Sequence, residues 1–191
     1  MSIPPLNLNF IPFPALTTER LILRKAHMGD VNEVQFLRSD PVVMKYVDRP
    51  RCQSTDEAIA FIQKITDMVD NNEGISWHIT LKEDPKTIGS IAFWRLEKEH
   101  YRAEIGYTMH PAYQGKGLMQ EAMKAALDYG FHVMNLHSVE ANTHPENTAS
   151  HKLLERSGFV REGYFKENYY YDGKFLDSAI YSLLNPNPSR R

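Results

Sequence analysis

Apolar and polar positions along the chain follow two rhythms. Alternation with period two marks "ERLILRKA" (19–26), "ISWHITL" (75–81), "TIGSIAFWRL" (87–96) and "AEIGYTM" (103–109) as strands. The same reading predicts strands at "LHSVEANT" (136–143), "FVREGYF" (159–165) and "KFLDSAIYSLL" (174–184), with Asp172-Gly173 as a hairpin signal between the last two. Helical spacing marks the rest. Asp30 followed by Glu33 opens a short helix over "VNEVQFL", which Pro41 interrupts. In "STDEAIAFIQKITDMVDNN", Ser54 and Glu57 form a capping-box pair, and Ile59, Ile62, Ile65, Met68 and Val69 form an apolar stripe. A third helix is predicted within "YQGKGLMQEAMKAALDYGF" (113–131), and a fourth over 147–156, stopped by Gly158. Pro4, Pro5, Pro12 and Pro14 make residues 1–16 an extended arm. The expected architecture is one mixed α/β domain over 17–184 with a largely antiparallel sheet, followed by a polar tail, 185–191.

Composition narrows the classes. An apolar fraction of 42% and a charged fraction of 24% supply a core and a solvated surface. A net charge of −2 argues against a nucleic-acid partner, because such proteins carry a basic stripe. Cys52, the one cysteine, excludes an internal disulfide and fits a reducing compartment. No apolar run approaches the roughly 20 residues that span a bilayer, and the start of the chain lacks the cationic segment of a signal peptide. A cytoplasmic protein without a membrane partner is expected. Among eight histidines, His144 and His151 are spaced unlike any familiar zinc motif, so no metal is expected.

Gly115 and Gly117 bracket Lys116 at the start of a helix, where glycine is a poor helix former. A helix start presents unpartnered N–H groups and partial positive charge, and small residues there let a phosphate approach. The pair admits two readings, a turn or an anion cradle. The spacing fits neither a Walker loop nor a dinucleotide fingerprint, whose third glycine would fall at Gln120.

The segment "MHPAYQGKGLMQEAM" resembles the acyl-coenzyme A binding segment of the GNAT N-acetyltransferases, patterned Gln/Arg-x-x-Gly-x-Gly/Ala. Gln114 and Gly117 match its first two defined positions, and Met119 departs at the third. "ERLILRKAHMGDVNEV", "AEIGYTMHP" and "ENTASHKLLERSGFVREGYF" occur in the family's order, so the likeness covers about 17–184. It is nearest the branch that includes the ribosomal-protein alanine N-acetyltransferases. The resemblance implies a twisted sheet with helices on both faces and a splayed central strand pair.

It also implies acetyl-coenzyme A as co-substrate. Tyr107, Thr108 and Met109 would line the pantetheine arm, and Gln114, Gly115, Lys116, Gly117, Leu118 and Met119 the diphosphate, with Asn147 at the arm. Many relatives carry a tyrosine as general acid at the position of Leu154. Ser150 is the substitute that the ribosomal-protein branch suggests, and it reads equally as a serine in a helix's first turn. Glu104 is the first candidate for a base, against a plain strand carboxylate beside Arg102; Glu167 is the second. The expected acceptor is a primary amine, a protein N-terminus by resemblance or a small amine such as an antibiotic or polyamine. A coenzyme-binding module without catalysis is the reading from another class. Exposed strand edges and the tyrosine-rich tail are compatible with a homodimer.

Overall fold

Strand β3 (Ile75–Leu81) is buried through its first six residues, whereas a half-buried strand would alternate. Layers therefore cover both of its faces. Ile75, Trp77 and Ile79 enter the main core with residues of helix α3 (Leu118–His132). Ser76, His78 and Thr80 point the other way by strand geometry, toward helices α1 (Val31–Ser39) and α2 (Thr55–Asp70). Helix α4 (Thr148–Arg156) joins α3 on its side through Gln120 Nε2, which donates to Ser157 Oγ at 2.8 Å.

The computed structural model describes residues 4–186. The other strands are β1 (Leu16–Thr17), β2 (Leu21–Arg24), β4 (Asp84–Glu97), β5 (Arg102–Met109), β6 (Ser138–Thr143), β7 (Val160–Tyr171) and β8 (Lys174–Leu184). They form one sheet in the order β1-β2-β3-β4-β5-β6-β8-β7. Every neighbouring pair is antiparallel except β5 and β6. This is the mixed α/β sheet with helices on both faces that the resemblance implied. Residues 4–15 form no regular element, yet Phe10 is buried and Trp77 Nε1 donates to Pro14 O at 2.8 Å. Residues 1–3 of the arm and 187–191 of the tail lie outside the described residues.

Several details differ from the sequence reading. The buried stripe of α2 is Ala58, Ile62, Ile65 and Val69, while Ile59 is 40% exposed, because it sits about 100° around the helix from its buried neighbour. Ser54 Oγ accepts from Glu57 N, but the carboxylate of Glu57 returns to the N–H of Gln53 rather than to that of Ser54. Strand β7 runs to Tyr171, well past 165, because it resumes pairing with β8 at Tyr169 opposite Leu176 after a register shift that follows Phe165. It is an edge strand exposed along most of its length. Asp172 (φ 46°) and Gly173 (φ 79°) are both left-handed, as a tight hairpin turn requires.

A buried ion pair fixes α1 to the sheet. Asp30 accepts from Arg24 Nη1 at 2.8 Å and Nη2 at 2.6 Å, from Thr87 Oγ1 at 2.9 Å and from His27 N at 3.0 Å. His78 Nδ1 lies 3.2 Å away. Among the described residues no helix is long and apolar enough to cross a membrane.

Candidate active site

The sheet opens at β5. This strand pairs with β4 from Gly89 opposite Met109 down to Glu97 opposite Arg102. With β6 it pairs only through Arg102, Ala103 and Glu104, after which β6 continues along β8 to Thr143. Among the described residues no strand pairs with 105–109 on that side, so main-chain N–H and C=O groups line an open cleft. Tyr107, Thr108 and Met109 lie along it.

At the end of the cleft, the loop into α3 forms a cradle. Gly115 (φ 73°) and Gly117 (φ 75°) are both left-handed, a region costly for most side chains. A Cβ on Gly115 would meet nothing within 4 Å, and one on Gly117 would meet Arg20 Nη2 at 3.5 Å. Backbone conformation therefore demands the glycines, and the space above them is open. Gly117 caps α3 without a side-chain bond, which leaves the first-turn N–H groups available to an anion. Gln114 Nε2 donates to Met109 O at 3.0 Å and ties the loop to the strand. Leu118 is buried and Met119 packs against the core, so side chains anchor the turn from behind. Lys116 lies over the Tyr113 ring at 5.4 Å.

Arg20 brings a second cation to this loop, and sequence reading missed it. Its Nη1 donates to Lys116 O at 3.0 Å while its Nε pairs with Glu121 Oε2 at 2.7 Å. Arg20 stands 96 residues before Lys116, so only the adjacency of β2 and α3 could reveal it. His110 stacks on Phe36 at 4.4 Å and accepts from Ala112 N, which makes it a loop-shaping residue.

The wall across the cleft is α4. Asn147 caps it, its Oδ1 accepting from Ser150 N at 3.1 Å. Ser150 Oγ lies 2.7 Å from Tyr107 Oη, so a hydroxyl pair bridges the splayed elements. The sequence pointed to the main chain of Tyr107; its hydroxyl was not foreseen. Burial pushes the Tyr107 phenol up to about 12, despite the opposing Ser150 hydrogen bond. Leu154 is fully buried in the main core.

On the opposite face of β5 sit Glu104, Gly106 and Thr108. Glu104 is only 8% exposed and pairs with Arg95 Nη1 at 2.9 Å, while Arg102 pairs with Glu140. The exposed carboxylate beside Arg102 is thus not what the fold builds. Burial raises the Glu104 carboxyl pKa, and Arg95 and Arg49 offset part of that rise. Tyr169 Oη donates to Asp48 Oδ2 at 2.5 Å, which joins the tail hairpin to the segment after α1. Tyr46 packs on His144 at 5.3 Å nearby in sequence to that contact. Glu167 is exposed at the bulge of β7, its N–H donating to Asp177 Oδ1.

The profile of the acetyltransferase (GNAT) domain matches residues 20–160, most of the chain. The chain belongs to the GNAT acetyltransferase family. Its relatives include an N-acetyltransferase of Bacillus licheniformis called p20, not itself characterised, 37% identical over 88% of this chain and 95% of the relative. The ribosomal protein uS5-alanine N-acetyltransferase of Escherichia coli is 29% identical over 93% of this chain and 94% of its own. Among solved structures, a GNAT acetyltransferase from Bacillus anthracis matches with TM-score 0.80 at 32% identity, covering 90% of this chain and 99% of the other. A Vibrio cholerae spermidine N-acetyltransferase, solved with CoA and spermine, matches with TM-score 0.76 at 27% identity over 86% and 95% of the chains. As a GNAT acetyltransferase, the chain is an acyltransferase whose relatives span protein and polyamine acceptors.

Proposed function

We propose that this GNAT protein transfers the acetyl group of acetyl-coenzyme A directly to the α-amine of a protein N-terminus. The observation that carries the reading is the opening between β5 and β6, with an anion cradle at one end and a buried carboxylate on the other face. Gly115, Lys116, Gly117, Leu118 and Met119 would hold the diphosphate by main-chain N–H groups, with Arg20 and Lys116 adding positive charge. Tyr107, Thr108 and Met109 would pair with the pantetheine arm as an added strand, and Asn147 would meet it from α4.

In this reading Glu104, directly or through water, takes a proton from the attacking amine. Its raised carboxyl pKa makes it a better base than an exposed glutamate. An α-amine, with a reference pKa of about 7.7–8.0, asks less of such a base than lysine at about 10.4. The C–N bond forms, the C–S bond breaks and the thiolate leaves. A phenol held near 12 does not surrender its proton to a thiolate whose ordinary pKa is about 8.5. Ser150, oriented by Tyr107, therefore stabilises the thiolate by hydrogen bonding; the coenzyme leaves as the thiolate, and the amine's proton stays on Glu104 until it passes to water.

Two measurements test this. Free-thiol release from acetyl-coenzyme A is expected with peptides bearing a free N-terminus and not with N-terminally blocked ones. Turnover of spermidine alone would replace the protein acceptor by a polyamine, and coenzyme binding without turnover of any amine would make the chain a binding module. Ser150→Ala is expected to lower kcat by about one to two orders of magnitude, with little change in the Kd for coenzyme A. Tyr107→Phe is expected to act in the same direction but more weakly. A Ser150→Ala variant that loses affinity and keeps kcat would make the serine a binding contact only.

A further inference from the structure

We propose that the indole N–H of Trp94 donates to the first carbonyl oxygen of the acceptor, so that the site selects amines followed by an amide. The inference rests on the N-terminal reading above and names the contact that tells a peptide from a polyamine.

Trp94 and Glu104 are directly opposed across the β4–β5 ladder, so their side chains share one face of the sheet. The indole leans along β5. A Cβ on Gly106, two residues beyond Glu104 and on the same face, would lie 3.5 Å from Trp94 Nε1. Arg95 lies over the ring at 4.6 Å and Arg49 at 6.0 Å. Those contacts use the face of the indole and hold its plane, while Nε1 projects from its edge. The two tryptophans differ at this atom. Trp77 Nε1 donates to Pro14 O at 2.8 Å, whereas Trp94 Nε1 makes no hydrogen bond among the described residues. Trp94 is half-buried, and its nitrogen is not sealed from solvent. Gly106 pairs with Ala92, and neither carries a side chain able to accept from it. The indole therefore offers an oriented, unused donor beside the carboxylate.

Its distance suits a single residue. Same-face positions on a strand lie about 6.7 Å apart. Within one residue the α-nitrogen and the carbonyl oxygen are about 3 Å apart, and a hydrogen bond at each end adds about 2.9 Å. A residue whose amine meets Glu104 thus reaches the indole with its own carbonyl. Net charge takes no part in this contact, since the indole is neutral and Arg95 is already paired with Glu104. A polyamine places methylene groups where a peptide has its carbonyl, and its ammonium groups only donate. The indole N–H then loses water without gaining a partner. A protein N-terminus satisfies it whatever side chain the residue carries.

The experiment compares kcat/KM for a short peptide beginning Ala-Ala with that for its counterpart whose first carbonyl oxygen is replaced by sulfur, a weaker acceptor of similar shape. Spermidine is assayed beside them, on the full chain with saturating acetyl-coenzyme A. Wild type is expected to favour the oxygen peptide about fivefold, the worth of one hydrogen bond. Trp94→Phe keeps a ring beneath Arg95 and removes the N–H. It is expected to bring the oxygen-to-sulfur ratio close to one, with the affinity for coenzyme A unchanged. Gly106→Ala leaves the indole intact and sets a methyl group at ordinary contact distance from Nε1; it is expected to shrink the ratio as well. Equal losses for both peptides in Trp94→Phe, or a ratio that neither variant moves, would overturn the indole contact while leaving the N-terminal acceptor intact. Turnover of spermidine with neither peptide would overturn both.

Discussion

Gly117→Asp is expected to leave the protein folded and to weaken coenzyme A binding about a hundredfold, the loss of one or two charge-assisted main-chain contacts. The residue is exposed and left-handed at φ 75°. Aspartate is among the residue types that tolerate that region best, so the backbone cost is about 1 kcal/mol. Space does not forbid the side chain, since the nearest atom to the new Cβ is Arg20 Nη2 at 3.5 Å. A carboxylate at a helix N-terminus is stabilising in itself. Those features preserve the fold and place a fixed negative charge where the diphosphate would bind. Calorimetric titration with coenzyme A reads the affinity, and thermal melting checks the fold. Gly117→Ala, with similar backbone strain and no charge, is expected to lose less affinity than the aspartate variant. Equal affinity for wild type and a folded Gly117→Asp protein would remove the cradle from the mechanism.

The second large effect concerns stability. Asp30→Ala is expected to destabilise the protein by about 3–5 kcal/mol, because it leaves the Arg24 guanidinium without its buried partner. Asp30 is 3% exposed and receives two bonds from Arg24. Burial by itself would raise its carboxyl pKa; hydrogen bonds from Arg24, His78 and the His27 N–H outweigh that and hold it well below the usual carboxylate range. A depressed carboxyl stabilises the folded state at pH values above its unfolded pKa. That contribution declines as pH falls through the ordinary carboxylate range toward the lower folded value. Urea unfolding of wild type and variant near neutrality and under acid conditions measures both statements. The stability gap is expected to be widest near neutral pH and to narrow in acid. A gap below about 1 kcal/mol near neutrality would mean the pair is no better than a surface bridge.

The elements were legible where local chemistry is strong. Alternating runs located β3, β5 and β8, because successive residues of a strand face different layers; on β3 both faces are covered, Ile75, Trp77 and Ile79 meeting the main core and Ser76, His78 and Thr80 lying buried on the other face. Gly158 and the Asp172-Gly173 pair are left-handed, and glycine is the residue that takes such a conformation at least cost. The reading was poorer where pairing, not burial, sustains a strand. Most of β7 is exposed, so its residues carry no alternation, and hydrogen bonding to β8 extends it to Tyr171.

Sequence by itself determined the elements, their order and the glycine turn before α3, because each is specified by residues close together in the chain. Only the tertiary structure decided the company these residues keep. Arg20 beside Lys116, the hydroxyl of Tyr107 on Ser150, and Arg95 rather than Arg102 on Glu104 all follow from how the sheet is ordered and where β4 changes register. Charge and hydrogen-bonding capacity are carried by a single residue, but a partner is a matter of distance in space. No period along the chain records which strands lie side by side.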